Sequence, residues 1–508
     1  MNNRQNAAQY LGLLVIALLV STVPMRAQFN YTTNNNTLTL TQYTGSGGAV
    51  VIPNTVGALP VTAVGSAAFY QVSALTSVTF GTNVTTIAPN AIFQCPSLAS
   101  VSIPAGVTNI GMGPMIDCLS LTAIGVDPAN KYYTNSNGAL FNEALNQLIE
   151  FPGGVGGTYG IPASVTNIGQ AFIGNSLTAI GTSPSSIEYT NVGGVLFDKS
   201  KTYLISYPGA AAGSYAVPTN TTTIVSAAFE YSTGITNVSI GTNVNSIGTF
   251  AFYDCPNLAA ISVNPANAYF SGTNGVLFDK NKLTLIQYPI AIGGNYIVPG
   301  TVAAIGAGAF GDAFGLTSVI IPNSVTNIAQ QAFYGCLDLS AVSLGEGIES
   351  IGASAFFYCE SLTGMVFPAR LTSLGQYAFG GCQNLSSACF SGNEPIDGGS
   401  VFYFDPALGS ILYVNGTAGW GATYDGISTA SCSTCGGGGA PPLGILLSGT
   451  NVLVGWSTSF SGYILQSTTN LVPPVVWRTV STAPVIINSI YAVTNPIAGS
   501  KMFYRLSQ

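Results

Sequence analysis

The chain has no histidine, and that absence shapes what chemistry its side chains could do. It removes Ser-His-Asp and Cys-His nucleophiles, an imidazole base and His-ligated zinc. Carboxylates, thiols and aromatic rings remain. Two acidic pairs, Glu346 with Glu349 and Glu394 with Asp397, are the candidates for a carboxylate-dependent glycan enzyme, which would need them about 5 to 9.5 Å apart across a cleft. Their competing reading is solvated surface acids. Cys432 and Cys435, in SCSTCGGGG, are spaced for a local disulfide in an oxidising compartment. Two thiolates without further ligands are a weak zinc signal, so no metal or other cofactor is expected. The aromatic candidates are Tyr132, Tyr133, Tyr189, Tyr203, Tyr269 and Phe270, together with Trp456 and Trp477, which could stack on sugar rings. Large aromatics more often bury themselves, and that is the competing reading for all of them.

The elements that must position these residues follow from a repeat. Residues 302–390 write out a 23-residue unit almost four times, as in VTNIAQQAFYGCLDLSAVSLGEG. Its anchor aliphatic stands at Val64, Ile87, Ile110, Ile168, Ile224, Ile247, Ile305, Ile328, Ile351 and Leu374. Such a period means a solenoid, in which each turn buries its apolar side chains only by stacking on its neighbours. Ten turns are expected. About five residues after the anchor comes an aromatic, eleven after it an aliphatic, and positions fourteen and sixteen alternate inward, as in Val78 and Phe80. Period-two alternation marks a short strand, so the stacked turns build a parallel sheet. Outward strand positions such as Thr79, Ser102, Ser239, Ser262 and Ser343 are small and neutral, which makes a poor hot spot.

Three steps between anchors exceed one period by 33 to 35 residues. The inserted stretches, YYTNSNGALFNEALNQLIEFP (132–152), YTNVGGVLFDKSKTYLISYP (189–208) and YFSGTNGVLFDKNKLTLIQYP (269–289), read as hairpins standing off the solenoid or lying over it. The six aromatic candidates lie on them. Of the nine cysteines, Cys95, Cys118, Cys255, Cys336, Cys359 and Cys382 sit eight residues after their anchors. That lock to the repeat phase makes them small buried core residues rather than disulfide partners or metal ligands. Cys389 falls on an outward strand position and is expected to be free.

Charged residues make up only 6% of the chain, against about 25% in ordinary soluble domains, and the net charge is −7. An acidic chain with few lysines argues against nucleic acid and against anionic membrane surfaces. At the start, Arg4 precedes the apolar run Leu11–Val20, with small residues around Ala27, which reads as a secretory signal peptide over 1–27. An anchor is the alternative, but so short a run spans a bilayer poorly. Residues 28–61 read as an N-terminal β-hairpin cap and 62–430 as the solenoid with its C-terminal cap. A Gly/Pro linker follows at 431–442, then a small β-sandwich at 443–508 whose only charges are Arg478, Lys501 and Arg505. Such a module could hold the protein at a cell surface.

The L-x-x-V-x-I strand, the I-G-x-x-A-F-x-x-C segment and the I-P turn together resemble the BspA-like leucine-rich repeats, over residues 62 to about 426. The resemblance implies a mainly β leucine-rich-repeat solenoid and a bacterial protein that is secreted or on the cell surface. It also implies adhesion or binding to host or matrix components, with no shared catalytic site. The expected function is therefore non-catalytic recognition of an extracellular protein or polysaccharide by a monomer. The alternative is extracellular glycan degradation by paired carboxylates.

Overall fold

The computed structural model describes residues 28–435, 443–448, 451–457, 463–471, 475–487, 490–496 and 502–507. The signal peptide expected over 1–27 and residues 436–442 of the linker lie outside the described residues. Among the described residues the chain is strand and turn, with one short 3-10 stretch, Ile290–Ile292, and no helix is long and apolar enough to cross a membrane.

Each turn contributes a two-residue strand at the anchor and a longer strand after the cysteine. Successive turns pair in parallel with like residues opposite one another. Val64 faces Ile87 and Ile87 faces Ile110, while an unbroken ladder runs from Leu285 through Ile305, Ile328 and Ile351 to Leu374. The aromatic position stacks the same way: the rings of Phe310, Phe333, Phe356 and Phe379 lie 4.6 to 5.0 Å apart and nearly parallel. A 23-residue period is thus a stacking rule, since each side chain is buried by its own copy one turn away.

The phase-locked cysteines are buried, and their thiols have a further task. Cys255, Cys336, Cys359 and Cys382 each donate to the carbonyl of the phenylalanine one turn earlier, Phe229, Phe310, Phe333 and Phe356, over 3.0 to 3.2 Å. Cysteine suits the site because it is small and apolar yet carries a weak donor for an otherwise orphaned carbonyl. Burial pushes the Cys255, Cys359 and Cys382 thiols well up, away from thiolate chemistry.

The inserts form the expected antiparallel hairpins, but their placement differs from expectation. They neither stand off the solenoid nor lie over it. Each supplies three strands, for example Phe270–Thr273, Val276–Asp279 and Thr284–Gln287. The third strand joins the anchor ladder, with Leu204 opposite Ile224 and Leu285 opposite Ile305. Leu148, Leu204 and Leu285 therefore act as further anchors, and the solenoid has more turns than the ten expected. The middle strands Ala139–Asn142, Val195–Asp198 and Val276–Asp279 are buried on both faces. Leu140 belongs to the core before it, Ala139 and Phe141 to the core after it. Leu196 and Leu277 likewise face backward, with Phe197 and Phe278 facing forward. Side-chain alternation turns each middle strand into a partition, and the core is divided into four consecutive compartments.

A buried asparagine seats two of these hairpins. Asn267 is fully buried; its amide donates to the Gly241 and Val244 carbonyls and its oxygen accepts from the Tyr269 and Phe270 amides, all within 2.7 to 2.8 Å. Asn130 repeats the arrangement on Pro104, Val107, Tyr132 and Tyr133. At the N-terminus the strands Phe29–Asn34 and Thr37–Tyr43 form an antiparallel hairpin. Leu40 pairs with Val64, and Leu38–Tyr43 (LTLTQY) echoes Leu283–Tyr288 (LTLIQY), so this hairpin opens the first compartment as the inserts open the others. Gly48–Val51 already pairs with Leu75–Thr79, which puts the start of the repeat sheet before residue 62. At the other end Ile427–Cys432 still belongs to that sheet.

Residues after the linker form two antiparallel sheets around Val454, Trp456, Leu465 and Val493. Gly444 lies against Ile297 and Ile320 of the solenoid, and the outward Ser318 and Ser343 are buried. Thr79 and Ser102 remain exposed.

Candidate functional site

The residues that converge are not those the sequence nominated. They belong to the position seven after the anchor, just beyond the aromatic. Here Gln71, Gln94, Asp117, Asp254, Asp312 and Tyr358 all have φ between 45° and 59°, and Gly335 and Gly381 replace them in two turns. This left-handed conformation favours Gly, Asn and Asp, which gives the aspartates a backbone reason to be there.

The solenoid curves so far that this face meets itself. The Tyr70 and Tyr334 hydroxyls, 264 residues apart in sequence, are hydrogen-bonded. Gln94 donates to the Tyr231 hydroxyl across 137 residues at 3.5 Å, and the Phe93 ring stands edge-on to Tyr231 at 6.4 Å. Ile116, Tyr231 and Tyr253 close a small apolar cluster between the distant turns. Beside it lies a cleft of about 610 Å³, floored by Gln71, Gln94, Asp117, Asp254, Asp312, Tyr334, Tyr358 and Glu360 and rimmed by Leu119, Phe314 and Leu337. The three rim side chains are 39 to 42% exposed.

No lining residue is a cation, and the carboxyls respond. Burial, then the Asp254 charge, pushes Asp117 up to about 7, against a hydrogen bond from Gln94. Glu230, behind the cleft, is pushed up to about 8 by burial and then by Asp254, Asp117 and Asp312. Asp254 and Asp312 are raised by burial, Asp312 also by Asp254. Asp312 hydrogen-bonds with Tyr253, and its Oδ2 is buried without a partner among the described residues. Near neutral pH the cluster shares protons, so it can both donate and accept while carrying less charge than its count suggests.

The nominated residues are scattered. Tyr132, Tyr203 and Tyr269 are 49 to 53% exposed, on three separate hairpins. Tyr133 and Tyr189 are half-buried: the Tyr133 hydroxyl accepts from the Ile110 amide at 2.8 Å and that of Tyr189 donates to the Thr166 carbonyl at 3.0 Å. Phe270 has to be withdrawn as a contact residue, because the partition geometry turns it inward and leaves it 9% exposed. Glu349 forms an exposed ion pair with Arg370 at 2.5 Å. Glu394 accepts from the Gly421 amide and Asp397 from the Gly399 amide. Neither acidic pair lines the cleft. Trp456 is core, and the Arg505 guanidinium covers the Trp477 ring at 4.5 Å. The local disulfide is also corrected: Cys435 is bonded to Cys389 and Cys432 is free. The chain turns back over the outer face of the sheet after Cys432, which covers the outward Cys389 with Cys435 and leaves Cys389 6% exposed.

The fold is that of a stacked-turn leucine-rich-repeat protein. A family model described as BspA type leucine rich repeat region matches it in six copies, over residues 49–156, 207–292 and 295–415, and the chain belongs to that family. Among solved structures, the chain is similar to a leucine rich cell surface protein from Faecalibacterium prausnitzii, at 26% identity over 81% of this chain and 97% of that one, with a TM-score of 0.39. It is also similar to the pneumococcal vaccine antigen PcpA, at 16% identity over 76% and 86% of the two chains, with a TM-score of 0.34. A leucine-rich repeat protein from Eubacterium ventriosum matches at 20% identity over 69% and 91%, with a TM-score of 0.30. No curated protein matches the chain.

Proposed function

We propose that the protein is a secreted or cell-surface recognition protein, non-catalytic, which binds an extracellular glycan or protein in the cleft where the solenoid closes on itself. One observation carries this: seven-after-anchor residues from distant turns, amides, phenols and proton-sharing carboxyls, converge on one cavity. A pocket of a few hundred cubic ångströms with a few convergent polar groups is the ordinary form of a binding site. Donor-acceptor groups beside an apolar rim suit hydroxyl-rich, neutral or cationic ligands, and clustered carboxyls disfavour anions.

Glycan- and matrix-protein-array binding by the mature chain tests the reading, beside a Gln71→Gly/Tyr358→Gly variant. Both positions tolerate glycine, as Gly335 and Gly381 occupy the same column. A loss of about tenfold or more in affinity with unchanged melting is expected, the cost of roughly one or two polar contacts. Binding within twofold of the parent would refute the cleft as the site and move recognition to Tyr132, Tyr203 and Tyr269 or to the C-terminal module. A carboxyl held near neutral pH is also what a glycosidase acid requires, so the same preparations are assayed for reducing ends. Release abolished by Asp117→Asn would replace recognition with hydrolysis.

A further inference from the structure

Three sulfur atoms meet at the far end of the solenoid. Cys389 lies on the strand Ser387–Phe390, Cys432 ends the strand Ile427–Cys432, and Cys435 sits three residues further on. Their Sγ atoms all lie within 4.8 Å of one another, and those of Cys389 and Cys432 are 3.8 Å apart. Two thiolates on one tetrahedral Zn²⁺, with Zn–S bonds of about 2.3 Å, stand about 3.8 Å apart. Cys432 and Cys435 also have the C-x-x-C spacing of zinc-binding turns, and Cys389 supplies a third ligand from a strand that packing holds in place. The sequence alone offers two thiolates here; the fold brings the third.

We propose that Cys389, Cys432 and Cys435 form, in the reduced chain, a three-thiolate site for a thiophilic d¹⁰ cation, Zn²⁺, with its fourth position open to solvent. Cys432 and Cys435 are half-exposed, so that position is reachable. The Cys389–Cys435 disulfide and the metal use the same sulfurs and exclude each other. Opening the bond takes two electrons and two protons: a dithiol supplies both and becomes a disulfide, whereas a phosphine supplies the electrons and water supplies the protons and the oxygen of the phosphine oxide. Each ligating thiol then gives its proton to solvent as the metal binds. The six core cysteines take no part, each being buried against its own stack.

The test is anaerobic titration of the phosphine-reduced mature chain with Co²⁺ alone, followed by displacement with Zn²⁺. One equivalent per chain is expected, with a thiolate-to-cobalt charge-transfer band that Zn²⁺ bleaches and the oxidised chain lacks. Cys389→Ser and Cys432→Ser should each weaken binding by about tenfold or more; the second leaves the Cys389–Cys435 pair intact and so reports on ligation apart from folding. Zn²⁺ should also shield these three thiols from alkylation, read by peptide mass spectrometry. The proposal is overturned by unchanged Co²⁺ binding in both variants, by equal binding to the oxidised chain, or by no band in a chain whose three thiols alkylate freely.

Discussion

A carboxyl that loses water without gaining a cation keeps its proton, and this chain does so in several places, Asp405 near the C-terminal end of the solenoid among them. In the cleft cluster Asp117, Glu230, Asp254 and Asp312 are all raised by burial. On the third strand of the first insert Glu150 is 1% exposed, accepts from the Met115 amide at 3.0 Å, and burial raises it well above the usual carboxylate range. The folded chain then binds more protons than the unfolded one between about pH 4, where free carboxyls titrate, and the folded values of the cleft acids, about 6 to about 8. Stability is therefore full at low pH and is lost as pH rises through that window. Melting should fall by about 5 °C or more between pH 5 and pH 9, and Asp312→Asn, whose side chain accepts the left-handed backbone, should flatten the slope. Glu150→Gln should raise the melting temperature at pH 8 and change little at pH 4, since Gln287 already fills the corresponding place in the third insert. A profile unchanged by both substitutions would refute this account. Of these acids, the recurrence at 117, 254 and 312, seven after the anchor, was the sequence signal for the cleft. Glu150 lay in an insert read as peripheral, and nothing in its own context marked it as buried.

At the scale of the element, the repeat was readable because stacked copies bury one another, so the period, the phenylalanine column and the cysteine column all appear as sequence. The partitions were less readable. ALF, VLF and VLF are apolar at consecutive positions, the mark of a strand buried on both faces, yet a short apolar run beside a polar break also fits an exposed hairpin. The Asn130 and Asn267 caps separate the two readings. If the hairpin were peripheral, Asn267→Ala would cost little. As a seated partition it should lose several kcal/mol, because two carbonyls and two amides are left buried and unpaired at about 1 to 3 kcal/mol each. Tyr269→Ala, two residues away and about half exposed, should stay within about 0.5 kcal/mol. Chemical denaturation of the two variants side by side decides it, and equal effects would mean that the hairpins do not divide the core.

The closure of the whole molecule was beyond reach of the sequence, because a solenoid's curvature accumulates from a small rotation per turn that no single residue encodes. Only the completed superhelix brings Tyr70 to Tyr334 and Gln94 to Tyr231. These contacts are few, while the acids beside them come from both sides of the seam, Asp117 from early turns and Asp254 and Asp312 from later ones. Deprotonation therefore places like charges across the closure, where burial limits screening. The seam should loosen as pH rises past about 8, seen in small-angle scattering as a larger radius of gyration at pH 9 than at pH 6, with far-UV spectra unchanged because the stacking within each compartment is not involved. Asp117→Asn combined with Asp312→Asn should hold the compact radius at both pH values, and ligand affinity in the cleft should follow the same curve. A radius equal at pH 6 and pH 9 in the parent chain would mean that packing of Ile116, Tyr231 and Tyr253 keeps the ring closed without help from shared protons.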